Sequence, residues 1–376
     1  MKQTMLLKLA PTEDQHHALL DTMHAFNAGA NYVASIAFAE KSANKFALQK
    51  LVYGELRTTY KLPAQLAIRC ISKATEAYKR DRSIKPAFRP EGAIIYDPRV
   101  MAFKGIDTVS LLTLSGRILL PFLFGSYQEA RLGSIKGQAD LIYRKGIFYL
   151  AVTLDVPEPT PDTPHSMLGI DLGIVNLATD SEGESFSGEA VEKVRQRYHA
   201  LRQRLQKRGT QSAKRHLRKL SGKEARFRKH TNHVISKRIV QKAKKNHQAL
   251  AIEDLRHIRT RTERTVKRSQ RSKQSSWAFF QLRFFLSYKA ALAGVPLHTV
   301  DPRNTSRTCP ACGHCAKENR KSQALFCCQA CGYTDNADRN AAINISRAPV
   351  MVPIVGLKNS RDKRLFGQGL LQAPAL

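Results

Sequence analysis

Two short stretches of this 376-residue chain repeat one local formula, Cys309-Pro-Ala-Cys312-Gly and Cys328-Gln-Ala-Cys331-Gly. Fifteen residues separate Cys312 from Cys328. Two CxxC pairs at that distance predict a tetrahedral four-thiolate zinc site. Four protein thiolates leave no open position for a substrate, so the zinc is expected to be structural. The glycine after each pair lets the backbone turn so that amides point at the sulfurs. Six of the seven cysteines lie between 309 and 331. Cys315 competes with Cys309 for the site, and Cys327 with Cys328, but neither exchange keeps the matched CxACG pair. Cys70 reads as a helix core residue. The opening MKQTMLLKLAPTEDQ has only a short apolar run, broken by Lys8, so no secretory signal is read and disulfides are not expected.

Charge sets the second constraint. The chain carries 62 Lys+Arg against 30 Asp+Glu, a net +32. Apolar residues make up 42%, enough for ordinary cores, so a disordered polycation is excluded. An excess of this size repels itself in a compact state unless a polyanion neutralises it, which points to nucleic acid. An anionic membrane surface is the competing partner. No stretch approaches 18 uninterrupted apolar residues, so no membrane span is expected. Between Lys193 and Lys273 there are 28 Lys+Arg and four acids, Glu224, Glu253, Asp254 and Glu263, so this segment holds +24 of the +32. Val194, Tyr198, Leu201 and Leu205 recur at helical spacing, and Leu217, Leu220, Phe227, Val234, Ile235 and Ile239 do so less regularly. The pattern predicts two helices joined near Gly209, apolar along one seam and basic on the flanks. Acids able to form i,i+4 pairs are nearly absent, which favours phosphate contact over simple solvation. Arg197, Arg204, Arg208, Lys214, Arg215, Arg218 and Lys229 are the candidate contacts.

The length suits two or three domains. Residues 157–164, PEPTPDTP, hold four prolines and read as a linker, with 157–166 as its span. Before it, a strand over about 4–9 leads into a helix from Thr12, where Gln15 completes a capping box. Helical pattern runs to about Arg80, interrupted near 42–44 and 62–63. Short apolar runs follow from Gly92 to Val156, separated by glycines, with a hairpin from Tyr143 to Phe148. This predicts a small β-barrel with a helical insertion after its first strand. Beyond the linker, MLGIDLGIVNLATD reads as a strand pair turning near Gly173. QALAIEDL (248–255) and VPLHTVDP (295–302) read as further strands, and 277–294 as an apolar helix ending at Gly294. The tail after Arg347 shows no periodicity and is read as loose over 348–376.

Three acids stand where a carboxylate is costly. Asp171 lies inside LGIDLGI, Glu253 closes ALAIEDL, and Asp338 opens the helix in DNADRNAAINI. An unpaired carboxylate in an apolar strand is expensive to bury, and a bound cation removes that cost. Mg²⁺ takes carboxylate oxygens together with substrate phosphate oxygens. Two such ions activate a water and stabilise the leaving oxygen of a phosphodiester. Taken singly, Asp338 is equally a helix-terminal acid and Asp171 equally a turn residue. Together, strand Asp, strand-end Glu and late helical Asp follow the order of an RNase H-like nuclease. Asp180, Asp254 and Asp335 are nearby alternatives; flanking Ile252 and Leu255 leave only one of Glu253 and Asp254 facing the site. Arg303, Asn304 and Ser306 follow a strand end and are candidate substrate contacts.

GIDLGIVNLAT, AIEDL and TSRTCPACGHCAKENRKSQALFCCQACGYTDNADRNAAINI, in this order, resemble the transposon-encoded TnpB proteins, also called the OrfB family and related to type V CRISPR effectors. The likeness is close over 165–347; the N-terminal half agrees in layout and in an opening like LKLAPTEDQ. The resemblance implies an α/β fold: an RNase H-like (RuvC) nuclease domain over 167–304 and 335–347, with a zinc ribbon inserted at 305–334. It also implies a wedge-like β-barrel over 1–11 and 88–156, with a helical recognition insertion at 12–87. Asp171, Glu253 and Asp338 match the family's catalytic, magnesium-holding acids, and Cys309, Cys312, Cys328 and Cys331 its zinc ligands. Family members bind a guide RNA from their own element and cut double-stranded DNA beside a short motif, opening it to single strands. The same division of labour, protein for the motif and guide for the sequence, holds in Cas9-type effectors. The expected activity is therefore an RNA-guided, Mg²⁺-dependent DNA endonuclease. A strand-transferring transposase and a non-cleaving nucleic-acid-binding regulator are the alternatives. The zinc ribbon is expected to cover the cleft. Tyr333 and Trp277 are stacking candidates, with core packing the preferred role for both. A monomer is favoured, with two chains on one RNA left open, in the cytoplasm of a prokaryotic cell at the nucleoid.

Overall fold

The computed structural model describes residues 1–254 and 279–349, and the backbone of 352–353. The Trp277 reading and the basic residues of 255–278 lie outside them. The chain divides into two compact units at Pro157/Glu158, inside the proline-rich stretch.

The first unit starts with β1 (Lys2–Leu9) and continues through α1 (Glu13–Ala39), α2 (Lys45–Thr58) and α3 (Ala64–Arg80). Then come β2 (Ile94–Tyr96), β3 (Met101–Lys104), β4 (Thr108–Thr113), β5 (Gly116–Leu123), the short α4 (Ser126–Glu129), β6 (Ile135–Arg144) and β7 (Ile147–Asp155). The strands form one sheet in the order β2-β6-β7-β1-β5-β4-β3, with every pairing antiparallel. The Tyr96 hydroxyl donates to Leu112 O at 2.9 Å and ties β2 to β4, so the sheet is nearly closed, like a barrel. The capping box at Thr12 is present: Gln15 N donates to Thr12 Oγ1, and Thr12 N to Gln15 Oε1. Asn44 caps α2 through Phe46 N and Ala47 N. Pro63 precedes α3. The β6–β7 hairpin turns over Lys145 and Gly146, both at positive φ, between the paired residues Arg144 and Ile147. The barrel and helices bury one continuous core in which Leu7, Phe26, Leu66, Tyr96 and Phe148 take part.

The second unit holds β8 (Ser166–Asp171), β9 (Asn176–Asp180), β10 (Ser185–Ser187), α5 (Glu189–Arg208), α6 (Gln211–Leu220), α7 (Lys223–Lys245) and β11 (Gln248–Glu253). They are followed by α8 (Phe279–Ala293), β12 (Leu297–Val300), β13 (Leu325–Cys327), β14 (Thr334–Asn336), α9 (Ala337–Arg347) and β15 (Val352–Pro353). The sheet order is β10-β9-β8-β11-β12-β15. β8, β11 and β12 run parallel, while β9, β10 and β15 attach antiparallel.

Strand alternation sends even and odd residues to opposite faces. Leu168, Ile170, Leu250 and Ile252 pack in one core with Ile235 and Ile239 of α7 and Leu282 and Leu286 of α8. Ala251, on the other face, packs with Val300 and with Ile345 of α9. Gly169 shares that face, and a Cβ there would stand 2.1 Å from Ala342 O and 2.5 Å from Ser346 N. Only glycine lets α9 lie this close to β8. Gly169→Ala is expected to push α9 off the sheet and cost about 1–3 kcal/mol, the usual range for overpacking. Urea unfolding that matched wild type would contradict this close contact.

Two sequence expectations change. The second basic helix is two helices, because Gly222 adopts a left-handed φ of 78° between α6 and α7. Its apolar residues serve two cores. Leu217 and Leu220 fold back on Tyr198, Leu201 and Leu205 of α5, whereas Ile235 and Ile239 pack on the sheet. That division is why the apolar seam looked irregular. The tail is not wholly loose, since Val352 and Pro353 pair with Thr299 and His298 on the sheet edge. Proline is tolerated at such an edge because it owes no ladder donor. The remainder of the tail lies outside the described residues. Among the described residues no helix is long and apolar enough to cross a membrane.

Candidate active site and metal centre

Asp171 and Glu253 end the adjacent parallel strands β8 and β11, one step beyond the paired Ile170 and Ile252. Both are odd-numbered positions on the face that α9 covers. Asp338 sits in the first turn of α9 and is 6% exposed. The helix is capped by Asn336, whose side chain accepts from Asp338 N and Arg339 N. Asp338 is therefore not the cap. Its Oδ2 instead accepts a hydrogen bond of 2.9 Å from Asn176 Nδ2. Burial, and then the charges of Glu253 and Asp338, push Asp171 from the ordinary 3.8 up to about 7. Arg320 and the Leu172 amide oppose this shift. Burial also raises Glu253, against a hydrogen bond from Thr305 Oγ1 to its Oε1 at 2.5 Å. Three carboxylates thus share one partly desolvated place. Hard oxygen donors whose mutual repulsion Arg320 offsets only in part suit a divalent cation such as Mg²⁺.

The competing acids are committed elsewhere. Asp180 is 1% exposed, accepts from the amides of Glu182 and Glu184, and pairs with Lys242. Asp254 pairs with Arg283 of α8 at 3.0 Å, on the opposite side of the sheet from Glu253. Asp335 accepts from the Tyr333 hydroxyl at 2.8 Å and lies near Arg339.

The four knuckle cysteines converge. Their Sγ atoms lie within 4.8 Å of one another. Cys309–Cys331 measures 3.6 Å and Cys312–Cys328 3.5 Å, and all are free thiols. Zinc–sulfur bonds of about 2.3 Å in a tetrahedron need sulfur edges of about 3.8 Å, so the cluster fits that ion. Gly313 and Gly332 both take positive φ, and their amides donate to Cys309 O and Cys328 O. Although burial opposes it, the Cys331 and Ala330 amides lower Cys328, whereas the neighbouring sulfurs raise Cys312 and Cys331, as expected of four thiols crowded together without a cation. Phe326, Tyr333 and Ala337 pack around Cys309 and Cys328. Tyr333 is thus a core residue, and burial pushes its hydroxyl up to about 12. Cys315 and Cys327 are not among the four clustered sulfurs.

Several known families and proteins are similar to this chain. Family models described as "Probable transposase" (OrfB_IS605) and "Cas12f1-like, TNB domain" match residues 149–260 and 279–345. The putative RNA-guided DNA endonuclease InsQ of Escherichia coli K12 is 28% identical over 94% of this chain and 95% of its own length. A TnpB-like protein of Methanocaldococcus jannaschii is 30% identical over 41% of this chain and 56% of its own. The chain resembles the OrfB (TnpB) family over these stretches. The CRISPR-associated endodeoxyribonuclease Cas12f1 of Sulfoacidibacillus thermotolerans is 31% identical over 64% of this chain and 58% of its own. The mini-RNA-guided endonuclease CRISPR-Cas phi3 shares the fold, with a TM-score of 0.55 at 10% identity over 92% of both chains.

The candidate phosphate contacts do not all sit alike. Arg197, Arg204, Arg208, Lys214, Arg215 and Arg218 are exposed on α5 and α6. Lys229 is only partly exposed, and burial lowers its pKa. Arg303 is exposed, with Nε 3.8 Å from Asp301. Sequence reasoning missed Thr305, Asn176 and Arg320, whose Nη2 lies 3.6 Å from Asp338 Oδ1. It also missed the fully buried Asn319. Asn319 Nδ2 donates to Arg307 O and His314 O, and its Oδ1 accepts from Gln329 N, so it joins the two knuckles. No periodicity marks such residues; only their position near the acids and cysteines does.

Proposed function

We propose that this chain is an RNA-guided DNA endonuclease of a mobile element, cutting double-stranded DNA by Mg²⁺-dependent phosphodiester hydrolysis at guide-matched sites. The observation that carries this reading is the meeting of Asp171, Glu253 and Asp338 on one sheet face, in a chain that aligns with InsQ over 94% of its length. The second unit is read as an RNase H-like (RuvC) nuclease domain, with 305–334 as its zinc ribbon. The mixed sheet supports this, with an antiparallel β10-β9-β8 followed by parallel β11 and β12. In the first unit, 1–11 and 88–156 are read as the wedge-like barrel and 12–87 as the recognition insertion.

When bound, divalent cations neutralise the scissile phosphate and acidify the attacking water. The chain's own residues hold the reacting groups. Asp171, Glu253 and Asp338 present carboxylate oxygens from two strand ends and a helix start, so sheet and helix packing sets their spacing. The exposed arginines and lysines of α5 and α6 grip phosphates of guide and target without reading sequence. Zinc held by Cys309, Cys312, Cys328 and Cys331 keeps the ribbon folded beside Asp338.

The test uses protein purified with the RNA it carries. Sequenced RNA of one defined origin, and linearisation of a plasmid bearing the matching site in Mg²⁺, are the expected results. Glu253→Gln is expected to stop cutting and Asp254→Asn to preserve it. Joined transposon ends without guided cutting would establish strand transfer, and a footprint without cleavage a binding regulator.

A further inference from the structure

The acids of the second unit are held in two chemically different ways. Asp180 is paired with Lys242 and Asp254 with Arg283. Cationic partners cancel the carboxylate charge, and these pairs hold the fold. Glu253 and Asp338 take their shortest hydrogen bonds from neutral donors: Thr305 Oγ1 donates to Glu253 Oε1 at 2.5 Å, and Asn176 Nδ2 to Asp338 Oδ2 at 2.9 Å. A hydroxyl or amide fixes a carboxylate's direction but leaves its full negative charge. Each donor takes one oxygen of its acid. Arg320 adds a longer ion pair, with Nη2 3.6 Å from Asp338 Oδ1, so Asp338 has one neutral donor and one more distant cation.

Both donors are themselves anchored. Thr305 is 8% exposed, and its carbonyl accepts from Asn344 Nδ2 of α9 at 2.8 Å. Asn344 also reaches Thr308 O, at 2.7 Å, so the loop bearing Thr305 is tied to the helix bearing Asp338. Asn176 opens β9, the strand beside Asp171, after a turn in which a Cβ on Gly173 would meet Asn176 O at 2.6 Å.

We propose that Thr305 and Asn176 are positioning residues that aim Glu253 and Asp338 at a shared divalent cation. The inference rests on the reading of Asp171, Glu253 and Asp338 as the catalytic acids. Donors that orient a metal-binding carboxylate typically change metal affinity by about 10–100-fold.

Two measurements test it. One is the Mn²⁺ concentration for half-maximal plasmid cleavage by the RNA-loaded protein. The other is Mn²⁺ binding to the RNA-free, zinc-loaded full chain, followed by electron paramagnetic resonance. Thr305→Val and Asn176→Ala are expected to raise both values about 10–100-fold, with cleavage largely recovered at saturating Mn²⁺. Thr305→Ser, which keeps the hydroxyl, is expected to stay within about threefold of wild type. Unchanged Mn²⁺ binding in Thr305→Val and Asn176→Ala would overturn the proposal. So would Thr305→Ser behaving like Thr305→Val. If instead Asp171→Asn still cut, the reading of the acids would fall, and that result is distinguishable because it does not involve Thr305 or Asn176.

Discussion

Asp171→Asn is expected to stop DNA cleavage and, in the absence of added divalent metal, to raise the melting temperature at pH 7.5. Under the proposed reading of the three acids, the loss of cutting follows from removing a carboxylate expected to support several kcal/mol of transition-state stabilisation, about 10³-fold or more in rate. The gain in stability follows from linkage. Burial and the Glu253 and Asp338 charges hold Asp171 near 7 in the folded chain, against the ordinary 3.8. Between those values the folded chain keeps a proton that the unfolded chain has released. Stability of the metal-free protein therefore falls as pH rises from about 4 to about 7, and the penalty is complete above that window. Asparagine does not ionise, so the variant loses this pH slope. Adding Mg²⁺ at pH 7.5 is expected to stabilise wild type and leave Asp171→Asn nearly unchanged. Melting curves across pH, with zinc retained, measure both effects. A variant less stable than wild type at pH 7.5 would show that Asp171 is not under this repulsion.

Removal of zinc is expected to unfold the ribbon and, with it, to abolish cleavage. The core there is small, consisting of Phe326, Tyr333 and Ala337 around Cys309 and Cys328. Four-thiolate zinc binding contributes on the order of 10–16 kcal/mol in small domains, far more than those side chains do by burial. The damage would spread because Ala337, in the ribbon core, is the residue before Asp338, and its amide donates to Ala324 O. Without the ribbon the start of α9 loses its anchor, and Asp338 its place. Cys328→Ser should reproduce the effect of a chelator, whereas Cys315→Ser and Cys327→Ser should keep about one zinc per chain. Zinc content by metal analysis and limited proteolysis within 305–334 report the outcome. A ribbon that stayed protease-resistant after zinc loss, or zinc loss in Cys315→Ser equal to that in Cys328→Ser, would refute the assignment of ligands.

Much of the second unit could be read in advance, because its key features are local. The CxACG pairs are a spacing that few structures other than a metal knuckle satisfy, and the four sulfurs do cluster. Short continuous apolar runs marked β8, β11 and β12, and an acid in such a context was conspicuous by its cost. In the first unit, the capping box at Thr12 and the Lys145-Gly146 turn are also local, and both appear where expected. The weaker readings concerned segments whose apolar residues answer to more than one core. The α6–α7 break at Gly222 is the clearest case. β10 was missed because Ser185-Phe186-Ser187 carries no apolar alternation, and β15 because two residues make no pattern at all.

What the sequence determined by itself was the inventory: a four-thiolate knuckle pair, three acids in costly places, a concentrated basic segment and the strands that carry them. These are matters of residue type and short-range spacing, and the chain states them directly. Which acids meet was decided only by tertiary structure. Parallel pairing brings Asp171 and Glu253 to neighbouring strand ends, and the absence of a side chain at Gly169 lets α9 settle close enough to bring Asp338 to the same face. The partners that separate Glu253 from Asp254 lie 29 to 52 residues away along the chain, Arg283 for one and Thr305 for the other. Contacts at such range depend on how sheet and helices pack, and no local pattern encodes them.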